Sequence, residues 1–351
     1  MQSMTRFFLG FWRRLARAHA SYWVAGRGWA PSKGAGWQRC LLLPAMVCLS
    51  GVASGAEAGG SRWGRDYLPN VTVYNQHGKA MRFYDDVIKD RIVVISFIYT
   101  SCKNICPLVT ARLAQVAESL GEAAHRDIRF VSISIDPIPD TPEKLKEMAD
   151  AFHAPDEWLF LTGGVDDIAL IRHKLGERSR EINEHRNEIL LGNDRTGEWA
   201  RDSAFADLGV LTETIRAMDP EWRSKARAIE GAGSGMAIVA GAEQPGQALF
   251  IKTCGACHTV GKGIRVGPDL AGLTERRDRD WILRFITSPG RLRREHDPVA
   301  LALADAFPGV RMPDLDLAES DAADVLAYIE HLDRIRAAEH ASAGPAETPR
   351  Q

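Results

Sequence analysis

Between Asn70 and Met218 the apolar positions alternate between runs suited to strands and spacings suited to helices. Val71 to Tyr74 and Ala80 to Phe83 flank the polar tetrad Asn75-Gln76-His77-Gly78, a pattern that predicts a hairpin. Ile92 to Tyr99 and Ile128 to Ile135 are near-continuous β-branched and aromatic runs, as strands buried on both faces require. From Pro107 to Leu120 the apolar residues Leu108, Ala111, Leu113, Val116 and Leu120 fall on one helical face. Asp140-Thr141-Pro142-Glu143 carries a cap and a first-turn proline, and so predicts a helix start. A short strand at Leu159–Leu161, a helix at Val165–Leu175, a strand at Ile189–Leu191 and a helix at Phe205–Met218 complete the alternation. Strands alternating with helices predict a layered α/β domain over residues 66–218.

The rhythm then changes. Residues 219–245, with Gly and Ala dense from Gly231 to Gly246, read as a linker that lets the first domain swing. Residues 246–333 have helical spacing and no strand pattern, predicting an all-α second domain. Residues 334–351, rich in Ala, Glu and Pro, read as a disordered tail.

The N-terminus has its own signature. No acidic residue precedes Glu57, and Arg6, Arg13, Arg14, Arg17, Arg27, Lys33 and Arg39 all precede the apolar run Leu41–Val52. A basic flank, a short apolar core and a small-residue exit describe an export signal over residues 1–56. A spanning helix needs about 20 apolar residues, so membrane anchoring is the secondary reading. The chain of 351 residues has a formal net charge of −2, which provides no basic footprint for nucleic acid.

Excluding Cys40 and Cys48 with the export signal leaves two close cysteine pairs. Cys254-Gly255-Ala256-Cys257-His258 has the C-x-x-C-H spacing of a haem attachment site. Two thiols one turn apart can each add to a vinyl group of one haem while the adjoining His reaches the iron. The same five residues alone also fit a redox dithiol beside an incidental His. Val266-Gly267-Pro268-Asp269-Leu270 supplies a rigid turn whose Pro268 carbonyl can orient His258. Arg311-Met312-Pro313 brings a thioether, a common iron ligand opposite His, with His296 as the competing residue. With the closing helix Asp321–Leu332, this segment resembles a class I cytochrome c. The resemblance implies one covalent haem c on Cys254 and Cys257, with His258 and Met312 as axial ligands.

Cys102 and Cys106 lie in Thr100-Ser101-Cys102-Lys103-Asn104-Ile105-Cys106-Pro107, between a buried strand and a helix. Ligands gather at such strand ends, and a helix N-terminus favours thiolate. The pair can close a disulfide or bind one soft metal ion. Together with Asp136-Pro137-Ile138-Pro139-Asp140-Thr141-Pro142 and Trp158-Leu159-Phe160-Leu161-Thr162-Gly163, the segment resembles the Sco/SenC family of copper-binding, thioredoxin-like proteins. That resemblance implies a thioredoxin-like fold and one copper ion, Cu(I) or Cu(II), held by Cys102, Cys106 and a distant histidine. His185 has the matching context, because Glu188–Leu191 and the polar turn Asn193–Gly197 follow it. Lys103 stands where the family usually has proline, and its ammonium favours the Cys102 thiolate.

The expectation is therefore an α/β thioredoxin-like domain followed by an all-α class I cytochrome c domain. Its leading role is an exported, periplasmic or membrane-anchored copper metallochaperone. The partners implied are a haem-copper oxidase subunit with a copper centre and other redox proteins. The alternative is a thiol–disulfide oxidoreductase using Cys102 and Cys106 and coupled to the haem. A third reading is an electron carrier with a passive docking domain.

Overall fold

A computed structural model describes residues 63–122, 126–179, 182, 188–230 and 244–342. The export signal, Cys40, Cys48 and His185 lie outside the described residues.

Strand β3 (Ile92–Ile98) is buried along its whole length and organises the first domain. Its side chains alternate with period two. Ile92, Val94 and Ile98 enter one core, while Val93, Ile95 and Phe97 enter the core on the opposite face. β4 (Ile128–Ser134) pairs parallel with β3, and β5 (Leu159–Gly163) pairs parallel with β4. β1 (Thr72–Asn75) and β2 (Ala80–Arg82) form the expected hairpin and extend the sheet antiparallel beside β5. β6 (Glu188–Asn193) and β7 (Glu198–Ser203) extend the other edge, giving the order β2-β1-β5-β4-β3-β6-β7.

One face is covered by α1 (Ile105–Leu120), with α2 (Pro142–Ala151) and α4 (Leu208–Arg216) beside it. The other is covered by α3 (Val165–Lys174) and a π-helical segment, Phe83–Ile88, that the sequence pattern does not suggest. α1 continues directly from the β3 loop, which puts the dithiol at the carboxyl end of the central strand.

Three expectations change. The stretch read as linker begins with helix α5 (Pro220–Glu230), and Glu198 on β7 accepts from Arg223 of that helix at 3.2 Å. The closing helix α11 runs Glu319–Ser342, into the stretch read as tail. The second domain is also packed against the first: Ala256 and Val266 are buried in the same core as Leu108 and Ala111 of α1. Burying these apolar groups favours a docked arrangement over a freely swinging one.

The second domain is helical. α6 (Gln247–Lys252) crosses α11, with Phe250 and Tyr328 at 5.5 Å between ring centroids. Gly246, at φ +76°, permits this crossing, because a Cβ there would lie 2.2 Å from the Asp324 carbonyl oxygen. After the single turn α7 (Leu273–Arg276), α8 (Arg279–Thr287) packs Ile282 and Ile286 against Ala322 and Leu326 of α11. α9 (Pro289–Arg294) and α10 (Pro298–Ala306) complete it. Among the described residues no helix is long and apolar enough to cross a membrane.

Candidate functional site

Cys102 sits in the loop after β3, and Cys106 in the first turn of α1. Both are buried and both are free thiols. The Cys106 backbone N–H donates to Cys102 Sγ at 3.3 Å. The pair is electrically unequal. The Cys106 thiol donates to Cys102 sulfur, the backbone N–H groups of Cys106 and Asn104 add to it, and so does the Tyr99 hydroxyl. These donors overcome burial and hold Cys102 well below the ordinary thiol range. The same thiol-to-sulfur hydrogen bond, with burial, pushes Cys106 far up. Burial and the bond to Cys102 likewise raise Tyr99.

The loop is fixed from below. Asp140 is fully buried, and its carboxylate accepts from the Thr100 N–H at 3.1 Å, the Thr100 hydroxyl, and the Ser134 hydroxyl at 2.6 Å. Asp140 thus ties the end of β4 to the residue two before Cys102. The sequence shows Asp140 as part of a signature; its carboxylate's work appears only in three dimensions. Thr141 caps α2 by accepting from Lys144 N–H. Lys103 is exposed beside Cys102. A two-cysteine donor set with one thiolate suits a soft ion such as Cu(I).

In the second domain the 3₁₀ turn Cys254–Ala256 carries the attachment motif. His258 Nδ1 lies 2.9 Å from the Pro268 carbonyl oxygen, as the turn predicts, so Nδ1 donates and Nε2 is left for a metal. Burial lowers the His258 pKa, which keeps the ring neutral and able to ligate. Gly267 lies flat against the ring: a Cβ there would come within 2.6 Å of His258 Cε1. Two adjoining apolar cavities of ≈ 100 and ≈ 190 Å³ share Cys254, His258, Phe285, Leu303 and Met312 in their walls. Arg293 donates to the Met312 carbonyl at 3.2 Å, and Asp314, two residues on, anchors the same loop by accepting from Gly290 N–H at 2.8 Å. His296 sits between α9 and α10 at φ +59° and lines neither cavity. An apolar slot between an imidazole and a thioether, with two thiols at its edge, fits a haem. With these thiols free, burial raises Cys254 and Cys257 to about 12.

These features define two classes of domain: a thioredoxin-like dithiol domain and a helical haem-type domain. A model of the SCO1/SenC family matches residues 64–189, and one of the cytochrome c family matches residues 243–333. The chain joins a SCO1/SenC domain to a cytochrome c domain. Among known proteins it is 37% identical over 93 residues to a SCO1 protein homolog of Bacillus subtilis, covering 26% of this chain and 47% of that protein. It is 25% identical over 109 residues to a putative copper-binding protein of Stutzerimonas stutzeri, covering 31% and 52%. Among solved structures, a SCO1/SenC family lipoprotein from Bacillus anthracis is 25% identical with a TM-score of 0.38, covering 43% of this chain and 94% of that one. The chain spans about half the length of the curated relatives it matches.

Proposed function

We propose that this chain is an exported copper-handling protein, acting in the periplasm or anchored facing it, with a covalently bound haem as its electron partner. The observation that carries the reading is the Cys102–Cys106 pair, a polarised dithiol at a helix start in a loop pinned by buried Asp140. Its membership in a SCO1/SenC domain supports copper as the cargo, with His185 as third ligand. Haem would attach through Cys254 and Cys257, with His258 and Met312 on its two faces. Copper would pass by thiolate exchange to the copper centre of a haem-copper oxidase subunit. When bound, the haem supplies one electron at a time, which matches the Cu(II)/Cu(I) couple.

The unequal thiols also favour a second reading, thiol–disulfide exchange with Cys102 as nucleophile. Closing the pair to a disulfide releases two electrons, whereas one haem iron accepts one electron. That mismatch ranks the copper reading first. Mixing the Cu(I)-loaded chain with the metal-free soluble domain of an oxidase copper subunit tests it. Movement of copper into that domain is expected; reduction of that domain's disulfide with copper left behind would favour the second reading.

A further inference from the structure

The wall of the haem-type cavity is not built by the second domain alone. Pro107 and Leu108, the two residues after Cys106, line it together with Cys254, Cys257 and His258. Chain geometry keeps the Cys106 and Leu108 Cα atoms within roughly 7 Å of each other. The dithiol and the haem slot therefore share one turn of α1.

Polar contacts hold that face of α1 to the attachment loop. Gln115 Nε2 donates to the Gly255 carbonyl, inside the C-x-x-C-H motif, at 2.8 Å. Arg112, buried in the first domain, donates to Gln115 Oε1 at 3.2 Å and to the Ala206 carbonyl at 2.8 Å, so the bridging amide is itself positioned. Glu118 pairs with Arg265 at 3.1 Å, and His153 Nε2 lies 3.0 Å from the Arg265 carbonyl oxygen. Between these contacts Ala256 and Val266 are buried against α1. This interface places the two sulfur sites side by side.

We propose that the dithiol site and the haem exchange electrons within one chain, across this fixed interface, with Cys106-Pro107-Leu108 as the connecting path. The inference rests on the copper reading above and specifies the route its electron takes. The step is balanced: ferrous haem iron becomes ferric, one electron passes, and Cu(II) on the thiolates becomes Cu(I). No bond is broken and no proton moves; the reverse step is equally balanced.

The test uses the full chain with its haem attached. Haem is reduced by a flash in protein preloaded with Cu(II), and its re-oxidation is followed at several protein concentrations. The wild type should re-oxidise at a rate independent of concentration. Gln115→Ala/Glu118→Arg removes the half-buried amide bridge and sets like charges at Arg265. It should lose that concentration-independent phase while keeping its haem spectrum and copper content. In copper-free protein, Leu108→Ala should shift the haem reduction potential downward, because hydration of an opened haem edge favours the ferric form. Re-oxidation proportional to protein concentration, or a haem potential indifferent to Leu108→Ala, would overturn the proposal. Failure to retain Cu(II) at all would overturn the copper reading instead, while the Leu108→Ala potential still decides whether α1 walls the haem.

Discussion

The Cys102 sulfur accepts from the Cys106 N–H at 3.3 Å and from the Cys106 thiol, so one cysteine stabilises the other as thiolate. Chemistry at this loop is therefore asymmetric before any ligand arrives. Cys102 is the entry point for metal or disulfide, and Cys106 gives up its proton only as the second bond forms.

The asymmetry has a pH signature in the reduced, metal-free chain. Cys102 is lowered from 9.0, so between its folded value and 9.0 the unfolded state binds the extra proton. Its contribution is present above 9.0 and is lost as pH falls through that window. Cys106 is raised, so above 9.0 the unfolded thiol ionises while the folded one does not, and stability falls. Relative to Cys102→Ser/Cys106→Ser, stability in urea should climb toward pH 9 and decline beyond it. A difference independent of pH would contradict the assigned bonds.

Tyr99 adds a donor to Cys102. In Tyr99→Phe the Cys102 thiolate should form at higher pH, read from thiolate absorbance during titration. An unchanged titration would remove Tyr99 from the site.

Asp140→Ala deletes the acceptor for the Thr100 N–H and two hydroxyls in a fully buried place. Leaving such donors unpaired should cost roughly 2–4 kcal/mol. Urea unfolding should show this loss, and the loosened loop should bind Cu(I) more weakly. Wild-type copper affinity in the variant would mean that Asp140 supports the fold alone.

Gly267→Ala would place a methyl against the His258 ring, at 2.6 Å from Cε1 before any shift. Ring or backbone must shift, which strains the bond from Nδ1 to the Pro268 carbonyl. The expected result is less haem per chain and a weakened iron–His signature in the visible spectrum. Met312→His should keep the haem but lower its reduction potential, since a thioether opposite His raises it.

Much of this was legible in sequence because the signals are local. β3 and β4 are buried on both faces, so their runs are continuously apolar, and the turn placing Pro268 above His258 lies ten residues downstream. β7 escaped because Glu198–Ser203 is a polar edge strand with no buried residue to mark an apolar alternation. α5 escaped because a polar helix beside a Gly-Ala stretch resembles a linker. α10 begins at Asp297-Pro298, a cap and first-turn proline whose sequence alone is equally compatible with a loop. The domain interface had no pattern to read. Gln115 and Glu118 look like a solvated helix face, and Ala256 and Val266 like parts of the haem motif, until the two domains meet.

The central claim is that one chain carries one haem and one copper site. The most direct measurement is copper bound per haem after Cu(I) and then Cu(II) loading, for wild type and for His185→Ala. The account predicts one copper per haem in the wild type, with Cu(II) retention lost in the variant because two sulfurs alone suit only the softer ion. A wild type that binds no copper while Cys102 and Cys106 cycle between thiol and disulfide would contradict it.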